Sequence, residues 1–186
     1  MPTMRANDIE IYYESFGDPT HETILLVNGL GTQAIGHEVE FCEGLVSRDL
    51  HVIRFDNRDV GLSTHLDGEV PDVFEAFAAV AAGGEVHAPY TLSDVAADAV
   101  GLLDGLGIES AHIFGSSMGG MIVQTMAIES PSKVRSVTSV MSTTGEPEYG
   151  MPDPDCLQGL AAIMISAETP EERITSGIAL QKLIGT

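Results

Sequence analysis

Ala111-His112-Ile113-Phe114-Gly115-Ser116-Ser117-Met118-Gly119-Gly120-Met121-Ile122-Val123 is the stretch that decides how this chain is read. A short apolar run ends at Phe114, and a longer, mostly apolar stretch of helical length extends over residues 121–128. The glycine- and serine-rich segment between them therefore reads as a sharp strand-to-helix turn with Ser117 at its apex. Such a turn lifts a hydroxyl clear of the sheet. It also sets the next N–H, that of Met118, at a helix N-terminus where it can donate to an anion. Glycine suits positions 115 and 119, because side chains two before and two after the apex would collide with each other and with the adjacent strand. Ser117, rather than Ser116, is the candidate nucleophile for attack on a carbonyl carbon. A plain Gly-Ser turn would carry the same residues; the flanking strand and helix distinguish this one.

Outward from this turn the chain alternates strands and helices. Residues 9–16, around Tyr12 and Tyr13, read as an early strand closed by Gly17-Asp18-Pro19, and residues 4–6 can pair with it. Thr23-Ile24-Leu25-Leu26-Val27 has the unbroken apolar character of a strand buried on both faces, and His51-Val52-Ile53-Arg54-Phe55 is a second of that kind. Residues 40–47 place Phe41, Leu45 and Val46 at helical spacing between them, which makes one βαβ unit. Thr91 or Ser93 caps a helix carrying Val95, Val100, Leu102, Leu103 and Leu106, and Gly107 stops it. Residues 134–141 form the last clear strand. After the proline-rich stretch 145–154, residues 156–165 and 170–184 look helical. The class is α/β: a mostly parallel sheet with helices on both faces, organised as a core over residues 1–145 and the start of a helical lid over 146–186.

Composition narrows the partners. Of the 186 residues, 44% are hydrophobic and 19% charged, so the chain can bury one substantial core and does not read as disordered. Eight basic against 28 acidic residues give a formal charge of −20, which repels nucleic acid and anionic lipid. No run of membrane-spanning length and no apolar signal core near Met1 is visible, so a cytoplasmic location is the expectation. Cys42 and Cys156 form neither a metal spacing nor a disulfide framework, and His21, His37, His51, His65, His87 and His112 include no H-x-x-x-H or H-E-x-x-H pair. No metal or cofactor is expected. Self-association into a homo-oligomer is not legible in these residues.

Three pieces in order, Asn28-Gly29-Leu30-Gly31 after one strand, Asp56-Asn57-Arg58-Asp59-Val60-Gly61-Leu62-Ser63 after the next, and the turn at Ser117, resemble the α/β-hydrolase family over residues 9–145. Within it the chain is most similar to esterase and lipase-like members, the aclacinomycin methylesterase type among them. The resemblance implies an ester hydrolase acting on a small molecule, with Ser117 as nucleophile and the backbone N–H groups of Leu30 and Met118 as oxyanion donors. Asn28 stands where many relatives carry His, which bears on loop support rather than on the donor. Asp56 and Arg58 are assigned a bracing role through hydrogen bonds and an ion pair. Most of the eight methionines are assigned to core packing, the other reading being that Met118, Met121, Met126, Met141 and Met164 line an adaptable pocket for an apolar acyl or aromatic group.

The family places its acid and base after the elbow, in the order Ser, Asp or Glu, His. Glu146, Asp153 and Asp155 follow Ser117, but no histidine follows His112. The chain is therefore expected to be the N-terminal part of a longer hydrolase, with its last strand leaving an apolar sheet edge open. His65 or His87, in the long segment 61–90, is the alternative base. A non-catalytic relative is the second reading. A third uses Gly29-Leu30-Gly31 as part of a G-x-G-x-x-A turn for a dinucleotide pyrophosphate, although residues 32–38 lack the helical periodicity that such a site needs.

Overall fold

The computed structural model describes residues 2–68, 88–146 and 169–184, together with the isolated positions 79, 84, 86, 149 and 159. Six strands form one sheet in the order β1-β2-β4-β3-β5-β6: β1 (Thr3–Ala6), β2 (Ile9–Phe16), β3 (Glu22–Val27), β4 (Leu50–Phe55), β5 (Ala111–Ser116) and β6 (Val134–Val140). β3, β4, β5 and β6 run parallel, while β1 and β2 are antiparallel to their neighbours. Helix α1 (Val39–Val46) crosses from β3 to β4, as the sequence predicts.

The inner parallel strands β3 and β4, with β5, carry apolar side chains on both faces because both are covered. Leu25, Val27, Ile53, Phe55, Ala111 and Ile113 join a core completed by α2 (Leu92–Gly105) and α3 (Met118–Glu129). Leu26 and Val52 pack with Cys42 of α1, against Ile24, Leu45 and Phe114. The period of two along each strand thus sorts one apolar run into two cores. Thr91 begins α2 with a reciprocal cap: Asp94 N–H donates to Thr91 Oγ1, and Thr91 N–H donates to Asp94 Oδ2. Ser93, the other capping candidate, instead donates to Glu129 Oε1 at 2.7 Å. Gly107, at φ +70°, provides the left-handed exit that stops the helix.

β6 is the edge strand, and it departs from the expected apolar edge. Arg135, Ser136, Thr138 and Ser139 are exposed along it, with Val137 the one large apolar side chain among them. Polar side chains and a charge blunt an edge that would otherwise invite pairing. The chain divides into two compact units, Met1–Thr144 and Gly145–Thr186. In the second, α4 (Pro170–Ile184) occupies the predicted span and is capped by Thr169, whose hydroxyl accepts from Glu172 N–H. Of the helix expected over 156–165, position 159 alone is among the described residues, and it is helical. None of the described helices is long and apolar enough to cross a membrane.

Candidate active site

Ser117 sits where β5 ends and α3 begins, at φ 54° and ψ −124°, and it is exposed. A non-glycine residue there carries strain of about 1–3 kcal/mol, which persists only where the surroundings fix it. Two backbone bonds do so: Ser117 N–H donates to Val140 O, and Gly120 N–H donates to Ser117 O, both at 2.9 Å. The glycines are required by space. A Cβ at Gly115 would strike the Gly119 carbonyl and lie 2.8 Å from Gly120 N, and one at Gly119 would strike the Val27 carbonyl and lie 2.8 Å from Asn28 O. α3 can therefore begin this close to β3 and β5 only without those side chains. Ser116, by contrast, belongs to the β5 ladder opposite Val140.

The loop after β3 reaches the same point. A Cβ at Gly29 would lie 3.1 Å from Ser117 Cβ and 3.6 Å from its Oγ, so the glycine is what lets this backbone approach the hydroxyl. Gly31 takes φ +65° and Leu30 is exposed between the two. Among the described residues, neither Leu30 N–H, next to Gly29 in the loop, nor Met118 N–H, next to Ser117 in sequence, has a protein acceptor.

Buried polar side chains hold this loop. Asp56, at the end of β4 and only 2% exposed, accepts from Ala34 N–H at 2.6 Å and from Leu62 N–H at 2.8 Å. Asn57 Nδ2 donates to Asn28 O at 3.1 Å, and Asn28 Nδ2 donates to Gln33 O at 3.0 Å. Gly61, at φ +57°, leaves room for the Asp56 carboxylate, since a Cβ there would lie 2.6 Å from Asp56 Cγ. The bracing role read for Asp56 and Arg58 is what the structure has, though the ion-pair partner of Arg58 is Asp98 on α2. Nε and Nη2 meet the two carboxylate oxygens at 2.6 and 2.7 Å, and Asn7 Nδ2 adds a third bond at 2.9 Å. This buried fork holds the guanidinium proton more tightly than usual. Asp98 gave no signal in the sequence beyond its place on an otherwise apolar helix face.

No described histidine is hydrogen-bonded to Ser117. His21, His51 and His112 stand at or just before the starts of β3, β4 and β5, whereas Ser117 follows the end of β5. Five residues of extended strand separate His112 from Ser117, about 16 Å. His51 bonds Ser15 and Thr23, and His112 bonds Ser136. His37 is buried against Phe41 and Phe114, its Nε2 without a partner among the described residues; burial, then Arg54, pushes its pKa down. His65 is exposed, with its Nε2 3.1 Å from Gly61 O, and His87 lies outside the described residues. No group of three or more His, Cys, Asp or Glu that could hold a metal occurs among the described residues. The turn at Gly29-Leu30-Gly31 leads into a three-residue 3-10 turn, Ala34–Gly36, and α1 begins only at Val39. The strand–turn–helix unit of a dinucleotide site, in which the glycine turn itself opens a helix, is therefore not formed here.

A strand-to-helix elbow with a strained, exposed serine, set on a mostly parallel sheet, is the arrangement of one family, and the chain belongs to it: residues 22–164 match the model described as alpha/beta hydrolase fold. Rhodomycin D methylesterase of Streptomyces peucetius is 31% identical over 203 residues, covering 99% of this chain and 62% of that protein. The 3-oxoadipate enol-lactonase 2 of Acinetobacter baylyi is 27% identical, covering 73% of this chain and 42% of its own length. The crystal structure of the enol-lactonase from Burkholderia xenovorans LB400 superposes with a TM-score of 0.65 at 21% identity, covering all of this chain and 68% of that one. The chain thus spans less than two thirds of these two curated relatives.

Proposed function

We propose that this protein is a serine hydrolase of small carboxylic esters, with Ser117 as nucleophile and the N–H groups of Leu30 and Met118 as the oxyanion hole. Ser117 Oγ forms a bond to the carbonyl carbon, the alcohol departs with a proton, and water then releases the acid and restores the serine. Negative charge develops on the carbonyl oxygen in both steps, and each preorganised donor contributes about 3 kcal/mol when it is aimed at that oxygen. The observation that carries the reading is the strained, exposed Ser117 with Gly29 packed beside its Cβ. The esterase and lactonase names of the relatives favour an ester over other acyl compounds.

A base and an orienting carboxylate are required, and we assign the base to a histidine outside the described residues, since no described histidine is hydrogen-bonded to Ser117. That placement also supports a second reading, a non-catalytic binder of esters on the same scaffold. A fluorophosphonate probe separates the two. In the protein expressed from its whole open reading frame, the probe is expected to add to Ser117 and to nothing after Ser117→Ala. A folded protein that resists the probe refutes the nucleophile and leaves the binder.

A further inference from the structure

We propose that Met141 is a specificity-determining residue of this site, one wall of a seat for the aromatic or bulky aliphatic part of an uncharged ester. The proposal rests on the nucleophile assignment above. The β5–β6 ladder runs as far as Ser116 and Val140, and Ser117 N–H donates to Val140 O at 2.9 Å, so the peptide leaving Val140 lies against the nucleophile's own backbone. Met141 comes next. It takes φ +49° and is 81% exposed.

A left-handed backbone is unfavourable for a residue with a Cβ, and such strain concentrates where sites are built. Packing does not offset it here, because the side chain is in solvent. The next residue shows what the turn achieves: Ser142 Oγ is buried, and a Cβ at Gly120 would lie 2.6 Å from it. The chain thus folds Ser142 onto the first turn of α3 and leaves Met141 outside, beside Ser117.

On the other flank stands Leu30, 64% exposed. In the sheet β5 lies between β3 and β6, so the residues that follow those strands bracket the one that follows β5. Two large apolar side chains therefore stand in water on either side of one hydroxyl, a surface that an apolar ligand would cover. A thioether is polarisable and suits an aromatic face. The charge of −20 disfavours an anionic ester.

Two uncharged fluorophosphonates test this, one carrying an ethyl and one a naphthylmethyl group, with labelling rates followed by intact mass on the whole protein. Met141→Gln keeps the length and loses the apolar character. The naphthylmethyl-to-ethyl rate ratio is expected to fall about tenfold, carried by KI, and Met141→Leu to restore it. The melting temperature should not move with Met141→Gln, since an exposed side chain is exchanged. Should glutamine unfold the loop, Met141→Gly, which suits the left-handed backbone, gives the same fall in ratio. A ratio within twofold of the parent while both probes still label Ser117 overturns the proposal. Failure of both probes on the parent protein overturns the nucleophile assignment, and this inference with it.

Discussion

Asp56→Asn is the sharpest perturbation of the loop that brings Leu30 to Ser117. The wild-type carboxylate accepts Ala34 N–H at 2.6 Å through one oxygen and Leu62 N–H at 2.8 Å through the other, at 2% exposure. Asparagine has the same shape but one acceptor. Whichever way the amide turns, an NH2 group faces an N–H, one donor loses its partner, and the surviving bond is no longer charge-assisted. A hydrogen bond to a charged group is worth about 1.5–3 kcal/mol, so the loss is about 2–4 kcal/mol. With a urea slope of about 2 kcal/mol/M, the unfolding midpoint falls by about 1–2 M. Hydrogen exchange supplies a local reading, because the Ala34 or the Leu62 amide should lose protection before the sheet amides do. A midpoint shift below about 0.25 M, equivalent to about 0.5 kcal/mol, would refute the idea that this carboxylate pins the two loops together.

Gly119→Ala drives a Cβ into the Val27 carbonyl and to 2.8 Å from Asn28 O, so backbone must yield; a loss of about 3 kcal/mol is expected in urea unfolding. Gly44→Ala on α1, where the nearest atom is Arg48 Nη1 at 3.9 Å, should instead stabilise by about 0.5–1 kcal/mol. Equal effects at the two positions would contradict the packing argument. Burial lowers the pKa of both His37 and His51 below the ordinary 6.5, and Arg54 lowers that of His37 further. The unfolded chain therefore takes up protons first. Stability is fully present above pH 6.5 and declines as the pH falls below it, by at most about 1.4 kcal/mol per pH unit for each imidazole. Urea midpoints between pH 7.5 and 5.5 check this, and His37→Leu should flatten the slope; a slope of the opposite sign would refute the burial argument.

Much of the fold was legible in residue pattern. The apolar, β-branched runs of β3 and β4 pointed to strands covered on both sides, and the alternation of strands with periodic helices called for parallel pairing. Thr91 and Gly107 marked the ends of α2 because a cap and a left-handed exit have local chemical signatures. The elbow was legible for the same reason: collisions at positions 115 and 119 follow from a tight turn alone, and the structure supplies the Gly119 and Val27 carbonyls as the colliding atoms. The polar character of the open edge was misjudged, because Val134, Val137 and Val140 carry the apolar signal of β6 while Arg135, Ser136, Thr138 and Ser139 occupy its exposed length.

What the sequence determined by itself is local: where strands and helices start and stop, which serine stands at the apex, and which glycines the turn cannot do without. Each is fixed by interactions within a few residues. Only the tertiary structure decided that Asp98 rather than Asp56 pairs with Arg58, that Asp56 ties Ala34 to Leu62, and that Val140 O accepts from Ser117 N–H. Those relations join residues 6 to 40 positions apart, and strand order, which no local pattern encodes, brings them together.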